Sequence, residues 1–572
     1  MCGFVVAYGE NLEKKLNFKK FLNAANLVKH RGPDFDKHQR SNNFFLYHSR
    51  LSIVDLDKRS NQPFHSQNGR YILIYNGEIY NYLDIKKKLS HKYNFKTSSD
   101  TEVLLAAYIE WGKDVLKHID GMFSFIVIDK KEKIVFFARD LFGQKPLYYK
   151  INKNFILFSS EIKPLLKLSD KKEINYSEIE NYLAFNFYSH NKNTFFKSIH
   201  QIKPGHYGIY ENKKIKLLNY SSFSNFQKNF KTKSKIFNSN QLISILTKSS
   251  KEHLMGDVNV GLAVSSGLDS LSLLALLKNT TLSEKLSECF TLDYGKDFSE
   301  FSEARKLVSK FGMKTNKVTY SHKEMIRDFE KLINFNEAPI GGVMHLGMSK
   351  LCKYARQKGI KVLFNGTGLD EVLLGYESSI RLYKSRSSST ERDLTLIDGS
   401  KINIGKILKK KRAKTNNFYL DNLALDLLLI SKLPKNLHML DRASMMHSVE
   451  MRSPYVNKDI FNYFLNLKFK DFFEKNLSKL PLRESLNKIF PKFNWYTQKK
   501  YIQTPQNNWM RKKESKEFFG DIVVSQNKFD QKLFSKKEVV NYWDKFLKNK
   551  LKSGLPIWQY TNIYFIEKLK LD

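Results

Sequence analysis

The chain opens Met1-Cys2-Gly3-Phe4-Val5-Val6-Ala7-Tyr8, and the fold turns on how this stretch is read. Residues 3–8 are apolar, short and rich in Val and aromatic side chains, which predicts a buried strand with Cys2 at its start. The Cys2 side chain is small, so removal of Met1 is expected, leaving a thiol and a free α-amino group on one residue. Their reference pKa values are about 8.5 and about 7.7–8.0. The amine is then a base poised near neutral pH and tied to its own nucleophile, which activates a weak nucleophile without a separate His. The competing reading is an incidental cysteine at a frayed terminus. The residues downstream decide between the two.

At 572 residues the chain exceeds what one core organises and predicts two or three domains. A hydrophobic content of 41% with 14% aromatics supports large cores and excludes a disordered chain. Cys2, Cys289 and Cys352 lie far apart, without metal spacing or a disulfide framework, which fits a reducing compartment. The start turns polar after Val6, unlike a signal peptide, and no apolar run approaches 18 residues, so the chain reads as cytoplasmic with no membrane span. The net charge of +40 raises nucleic-acid binding as a possibility. The excess is mostly Lys, spread along the whole chain beside abundant Asn, Ile and Phe, so a compositional origin is preferred and no nucleic-acid partner is expected.

Segments of strand length recur at 44–48, 71–75, 123–129, 134–138 and 155–159, with helix-like stretches at 81–89 and 101–111. This alternation predicts an α+β sandwich. Polar clusters punctuate it: Arg50-Leu-Ser-Ile-Val-Asp55, Tyr75-Asn-Gly-Glu-Ile-Tyr-Asn81, Ser98-Ser-Asp-Thr-Glu-Val103, Ala138-Arg-Asp-Leu-Phe-Gly-Gln-Lys-Pro-Leu-Tyr148 and Ser159-Ser-Glu-Ile-Lys163. Five such clusters in this order, behind a Cys at position two, resemble the glutaminase domain of class II glutamine amidotransferases, in the asparagine synthetase branch. The resemblance implies an N-terminal-nucleophile sandwich (αββα) over 2–215, with Cys2 as nucleophile. It implies Arg50 at the glutamine α-carboxylate, for which a guanidinium fork is suited, and Glu78 with Asp100 at the amino end. It makes Asn76 and Gly77 the oxyanion hole, the glycine allowing close backbone approach. Read alone, Asn76-Gly77 is a hairpin turn.

Residues 221–240 are polar and without periodicity, following a basic hairpin-like stretch at 207–218, so a linker is expected over 216–240 and a second domain over 241–572. That domain starts with an amphipathic helix at 241–255. A buried strand at 257–264 then runs into Ser265-Ser-Gly-Leu-Asp-Ser270 and a helix at 271–278. Strand, small-residue loop and helix make an anion site from backbone N–H groups and a helix N-terminus. The Walker pattern is absent. The stretch resembles the pyrophosphate loop of ATP pyrophosphatases, again as in asparagine synthetases, and implies an α/β domain with a parallel sheet. The implied ATP contacts are Ser265, Ser266, Gly267, Asp269 and Ser270. Ser266 stands where the family has glycine, which a serine satisfies if its φ is negative. Lys361-Val-Leu-Phe-Asn-Gly-Thr-Gly-Leu-Asp-Glu371 repeats the logic and adds Asn365 and Gly366. Asp269 and Asp370 are the implied ligands of Mg²⁺ shared with the pyrophosphate. Thr367 replaces an acidic residue that the family uses near the acceptor; Thr cannot act as that base.

Residues 377–417 read as a basic insertion. Leu440-Asp-Arg-Ala-Ser-Met-Met-His-Ser-Val-Glu-Met-Arg-Ser-Pro454 matches a further family segment. In it Asp441, Arg442, Glu450 and Arg452 are expected to form a buried polar network beside the ammonia path. Lys499 is aligned with a lysine that binds ATP phosphates. The resemblance places the acceptor pocket around 336–345, where this chain has neither the Thr nor the Arg that the family uses for aspartate, so a clamp for the carboxylate of aspartate is missing. The implied function is glutamine-dependent and ATP-dependent amidation of an adenylated carboxylate, aspartate by default. The alternatives are another carboxylate, such as a sugar uronic acid in surface-polysaccharide synthesis, or a glutaminase with an impaired synthetase site. Glutamine, ATP and the acceptor are the expected partners, and a homodimer is compatible with the reading.

Overall fold

Alternation within the strand Gly3–Tyr8 builds the first half of the molecule. Successive side chains of a strand point to opposite faces. Phe4, Val6 and Tyr8 therefore enter one core with Ile72, Ile74, Ile126 and Phe137 of a second sheet. Val5 and Ala7 enter another with Phe21, Ala24 and Val28 of a covering helix layer. The structure is a computed structural model describing residues 2–220, 236–376, 431–474, 477–497, 504–527 and 529–569.

Two six-stranded antiparallel sheets face each other in this half. The first runs His200–Gln201, Tyr148–Ile151, Ile156–Ser159, Gly3–Tyr8, Phe44–Arg50, Phe35–Arg40. The second runs Lys214–Asn219, His206–Glu211, Ile134–Arg139, Gly121–Asp129, Tyr71–Ile79, Phe64–His65. Helices Phe18–Ala25 and Ile162–Lys167 cover the outer face of the first sheet. Tyr82–Leu89 and Asp100–Trp111 cover the second, where Ile85, Leu89, Val103 and Leu104 meet Leu73, Tyr75 and Phe125. This is the expected αββα sandwich. Lys214–Asn219 pairs along its whole length with His206–Glu211, so residues 216–219 lie within the second sheet.

The second half is built on five parallel strands in the order Thr315–Thr319, Leu286–Asp293, Val260–Ala263, Val362–Phe364, Glu450–Arg452. A parallel sheet must be covered on both faces. Val260 and Leu262 pack toward Leu271 and Leu274 of helix Leu268–Lys278. Ala263, Phe290 and Leu363 pack toward Leu351 and Ala355 of helix Val343–Gln357. The expected α/β domain with a parallel sheet is thus present. Among the described residues no helix is long and apolar enough to cross a membrane. The basic insertion at 377–417 and Lys499 lie outside the described residues.

The last helix, Leu555–Lys568, touches both halves. Pro556 sits in its first turn, where a missing N–H costs nothing. Trp558 stacks edge-on against Phe329 at 4.7 Å, Gln559 Nε2 donates to the Tyr182 carbonyl at 3.2 Å, and Glu567 accepts from the Tyr176 hydroxyl at 2.9 Å. Trp558 is 1% exposed. Trp558→Ala is expected to destabilise the chain by about 3–5 kcal/mol through the cavity it leaves, read as a lowered denaturant midpoint. An unchanged midpoint contradicts the packing described.

Candidate active sites

The first site forms where the ends of the two sandwich sheets meet. Cys2 is buried, and its N–H donates to Asn76 Oδ1 at 2.9 Å. That bond assigns the Asn76 amide: its oxygen faces Cys2, and its Nδ2 is buried with no hydrogen-bond partner among the described residues. A buried unsatisfied amide costs about 1–3 kcal/mol, so a donor kept in this state fits an oxyanion arriving as ligand. Asn76 and Gly77 lie inside the strand Tyr71–Ile79, opposite Ser124 and Phe123, and not in a hairpin turn. A Cβ on Gly77 would stand 2.1 Å from the Met122 carbonyl oxygen, so only glycine lets the backbone pass. At Gly3 the same test meets the Val28 carbonyl at 2.6 Å, which holds the strand tight behind Cys2.

The charged residues expected around Cys2 converge there. Burial is the main influence raising the Cys2 thiol, while the Leu51 N–H and Arg50 act to lower it. Arg50 Nη1 donates to the Asp57 carbonyl at 2.9 Å and Asn61 Oδ1 at 2.8 Å, and Nη2 donates to the carbonyls of Val54 and Asp55. Four of its five donors thus hold the loop, so a full fork onto a carboxylate requires residues 54–61 to release. Asp100 accepts from the Tyr75 hydroxyl at 2.8 Å and the Ile79 N–H at 3.0 Å. Glu78 is held well above the usual carboxylate range, first by burial and then by the Glu450 carboxylate, against Arg452. Arg452 Nη2 lies 3.3 Å from Glu78 Oε1. Glu450 and Arg452 come from the other half of the chain, a role that the family segment at 440–454 did not announce.

Between the halves runs a buried ion network. Arg31 reaches Asp441 with both terminal nitrogens at 2.9 Å and Glu161 at 3.0 Å. Arg442 reaches Glu161 at 3.1 Å and Glu337 at 3.0 Å, and Glu337 accepts from the Ile162 and Lys163 N–H groups, both at 2.6 Å. Arg31 Nε also donates to the carbonyl of Cys2 at 3.1 Å, joining the network to the first site. A small void lined by Lys145, Asp441, Leu440, Met451 and Ser453 lies at the same junction. Asp441 and Arg442 are in the expected buried network. Arg31 was missed, because His30-Arg31-Gly32-Pro33 reads locally as a turn.

The second site is a cavity of about 490 Å³ at the C-terminal ends of the parallel strands, where open α/β sheets bind ligands. Ser265, Gly267, Asp269, Ser270, Asn365, Gly366, Thr367 and Asp370 all line it. Ser266 carries no positive φ, and its N–H and hydroxyl both donate to Glu300 Oε2, at 3.1 and 2.9 Å. The departure from glycine is therefore accommodated without backbone strain. Thr367 N–H donates to Asn365 Oδ1 at 2.9 Å. The other wall is apolar, with Phe290, Leu292, Met344, Met348, Leu351 and Leu440.

Lys479 supplies the charge that no motif at 265–270 or 361–371 announced. Its Nζ lies 2.5 and 2.7 Å from the Asp269 oxygens and 2.5 Å from Asp370 Oδ1. Asp269 and Asp370 thus converge on one cation position, and an ammonium holds it. A hard divalent ion takes oxygen ligands shared with substrate phosphates, so the donor set fits Mg²⁺ once Lys479 turns to a phosphate. Lys479 precedes Pro481 in the first turn of helix Leu480–Ile489. That helix start was the available signal.

Lys479→Met leaves two neighbouring carboxylates without their cation. It should cost about 3–5 kcal/mol, read as a lower melting midpoint. Millimolar Mg²⁺ should raise the midpoint of the variant more than that of the parent chain. Equal shifts contradict the shared cation position.

Residues 1–221 match the family model of a glutamine amidotransferase domain, and residues 241–569 match that of asparagine synthase. The chain is similar to the putative asparagine synthetase [glutamine-hydrolyzing] 2 of Methanocaldococcus jannaschii, 30% identical over 71% of this chain and 82% of that protein. It is 28% identical to the amidase chry2 of Gibberella zeae over 66% of this chain and 60% of the relative. It is 29% identical to asparagine synthetase [glutamine-hydrolyzing] 1 of Bacillus subtilis over 66% of this chain and 59% of the relative. The matches to the last two thus span about three fifths of those proteins. With the synthase model covering more than half of its length behind an amidotransferase domain, the chain belongs to the asparagine synthase family.

Proposed function

We propose that the chain is a glutamine-dependent amidotransferase that amidates a carboxylate activated with ATP. The observation that carries this reading is the Cys2–Asn76 pair, in which the oxygen of one amide orients the Cys2 nitrogen and its free Nδ2 awaits an oxyanion. With Met1 removed, the Cys2 amine takes the thiol proton and the thiolate adds to the glutamine amide carbon. Asn76 Nδ2 and the Gly77 N–H stabilise the oxyanion, and the amine returns the proton to the leaving ammonia. Water then hydrolyses the γ-glutamyl thioester to glutamate. Glu78 and Asp100 take the substrate ammonium, and Arg50 supplies positive charge for its carboxylate.

In the second site the loops 265–270 and 365–370 cradle ATP, Lys479 balances the phosphates, and Mg²⁺ supplies charge neutralisation on their oxygens when bound. The acceptor carboxylate displaces pyrophosphate from the α-phosphate, and ammonia displaces AMP from the resulting acyl-adenylate. The relatives' names support aspartate as acceptor and asparagine as product. One observation favours a different carboxylate such as a uronic acid. Lys479 and Arg483 are the cations among the described residues lining the cavity, and both are engaged. Arg483 donates to the carbonyls of Ser478, Trp495 and Thr497, and the wall at Met344 and Met348 is apolar. The unstrained Ser266 argues against an impaired ATP loop.

The test follows pyrophosphate release with Mg-ATP, glutamine and a panel of acceptors. Cys2→Ala should abolish glutamate formation while ammonium salts still support pyrophosphate release with the true acceptor. Release with aspartate supports asparagine synthesis, and release only with a uronic acid supports the second reading. Glutamine hydrolysis by Cys2→Ala at the parent rate overturns the proposal.

A further inference from the structure

Arg452 stands where the two sites meet, its side chain toward one and its main chain toward the other. Its guanidinium is fully buried. Nε donates to Glu450 Oε1 at 2.6 Å, and Nη1 donates to the carbonyls of His253 at 2.5 Å and Met255 at 2.6 Å. Nη2 makes no hydrogen bond among the described residues and faces Glu78 Oε1 at 3.3 Å. Its own carbonyl accepts from the Asn365 N–H at 3.0 Å and from Asn365 Nδ2 at 3.1 Å. The side chain thus touches the glutamine pocket while the main chain holds the second ATP loop.

The segment that Nη1 grips extends this connection. Asp257 N–H donates to the Ile53 carbonyl at 2.8 Å, and Asp257 Oδ2 accepts from the Asp55 N–H at 2.8 Å. The carbonyls of Val54 and Asp55 in turn hold Arg50. In the other direction the segment runs into the strand Val260–Ala263 and the loop at 265–270. Arg50 and Glu78, two of the three residues assigned to the charged ends of glutamine, are therefore tied to the residues that carry both ATP loops.

The charges give the connection something to transmit. One buried guanidinium faces two carboxylates, Glu78 and Glu450. An ammonium group arriving at Glu78 competes with Nη2 for the same oxygen. Nη2 has no hydrogen bond to hold it there, whereas Nε and Nη1 are fixed.

Resting on the function proposed above, we propose that Arg452 is a positioning residue that couples the two sites, so that glutamine held at Glu78 and ATP held at Asn365 change each other's affinity. Such linkage is reciprocal and commonly amounts to about 5–150-fold.

The test uses the full chain with Cys2→Ala, which binds glutamine without consuming it, and an ATP analogue not cleavable between the α- and β-phosphates. A saturating analogue should change the glutamine Kd at least about 5-fold, and saturating glutamine should change the analogue Kd by the same factor. Adding Arg452→Lys keeps the charge and the main-chain carbonyl but loses the fork, and should bring the factor to within about twofold of one. A purely structural role would shift both affinities and the melting midpoint while leaving the factor in place. If Arg452→Lys does not fold, Glu78→Gln removes the carboxylate that Nη2 faces, and a factor that survives it, read at saturating glutamine, overturns the proposal. A factor of one in the Cys2→Ala chain, with both ligands bound, overturns the coupling alone. A Cys2→Ala chain that binds no glutamine overturns the coupling together with the proposed function.

Discussion

Arg31 is the interaction on which the arrangement depends. Its guanidinium is fully buried, and it donates once to the carbonyl of Cys2, once to Glu161 and twice to Asp441. A buried cation is costly unless it is paired with good geometry. The bidentate pair to Asp441, at 2.9 Å on both nitrogens, meets that condition with a residue 410 positions away. The strand bearing the nucleophile is thereby registered against the helix Leu433–Met445 of the other half. Removing either partner would leave a charge stranded in the junction, so the relative placement of the halves is specified and not merely permitted.

Each site sets two carboxylates against one buried cation. Around Cys2, carboxylates outnumber the guanidinium of Arg452, and Glu78 is pushed up by burial and by Glu450. That imbalance suits a ligand bringing an ammonium. In the second site Asp269 and Asp370 share Lys479, which the phosphates of the proposed reaction would recruit. Burial of Arg442 among Glu161, Glu337 and Asp441 repeats the first solution at the junction, where its pKa is raised by these carboxylates against the effect of burial.

Much of this was legible in the sequence, for local reasons. The short, continuous apolar run of residues 3–8 marks a strand buried on both faces, and strand–loop–helix spacing at 257–278 marks an anion site whatever the partner. Asn76-Gly77 was less transparent, since the dipeptide favours a hairpin turn in isolation; pairing with Gly121–Asp129 overrides that preference. Arg31, Lys479 and the contact of Arg452 with Glu78 were not legible. Each acquires its role from partners far along the chain, 410 positions for Arg31 with Asp441 and 210 for Lys479 with Asp269. A lysine among the many of this chain announces nothing until two aspartates are seen to close on it.

The central claim is that one chain makes ammonia at Cys2 and spends it in the cavity at the end of the parallel sheet. The most direct measurement is the ratio of glutamate formed to pyrophosphate released at saturating glutamine, ATP and the accepted carboxylate. A chain whose sites work together forms glutamate and pyrophosphate in equal amounts, since each ammonia amidates a single adenylated carboxylate. Pyrophosphate release at full rate without glutamate formation, in the absence of added ammonium, would contradict the account.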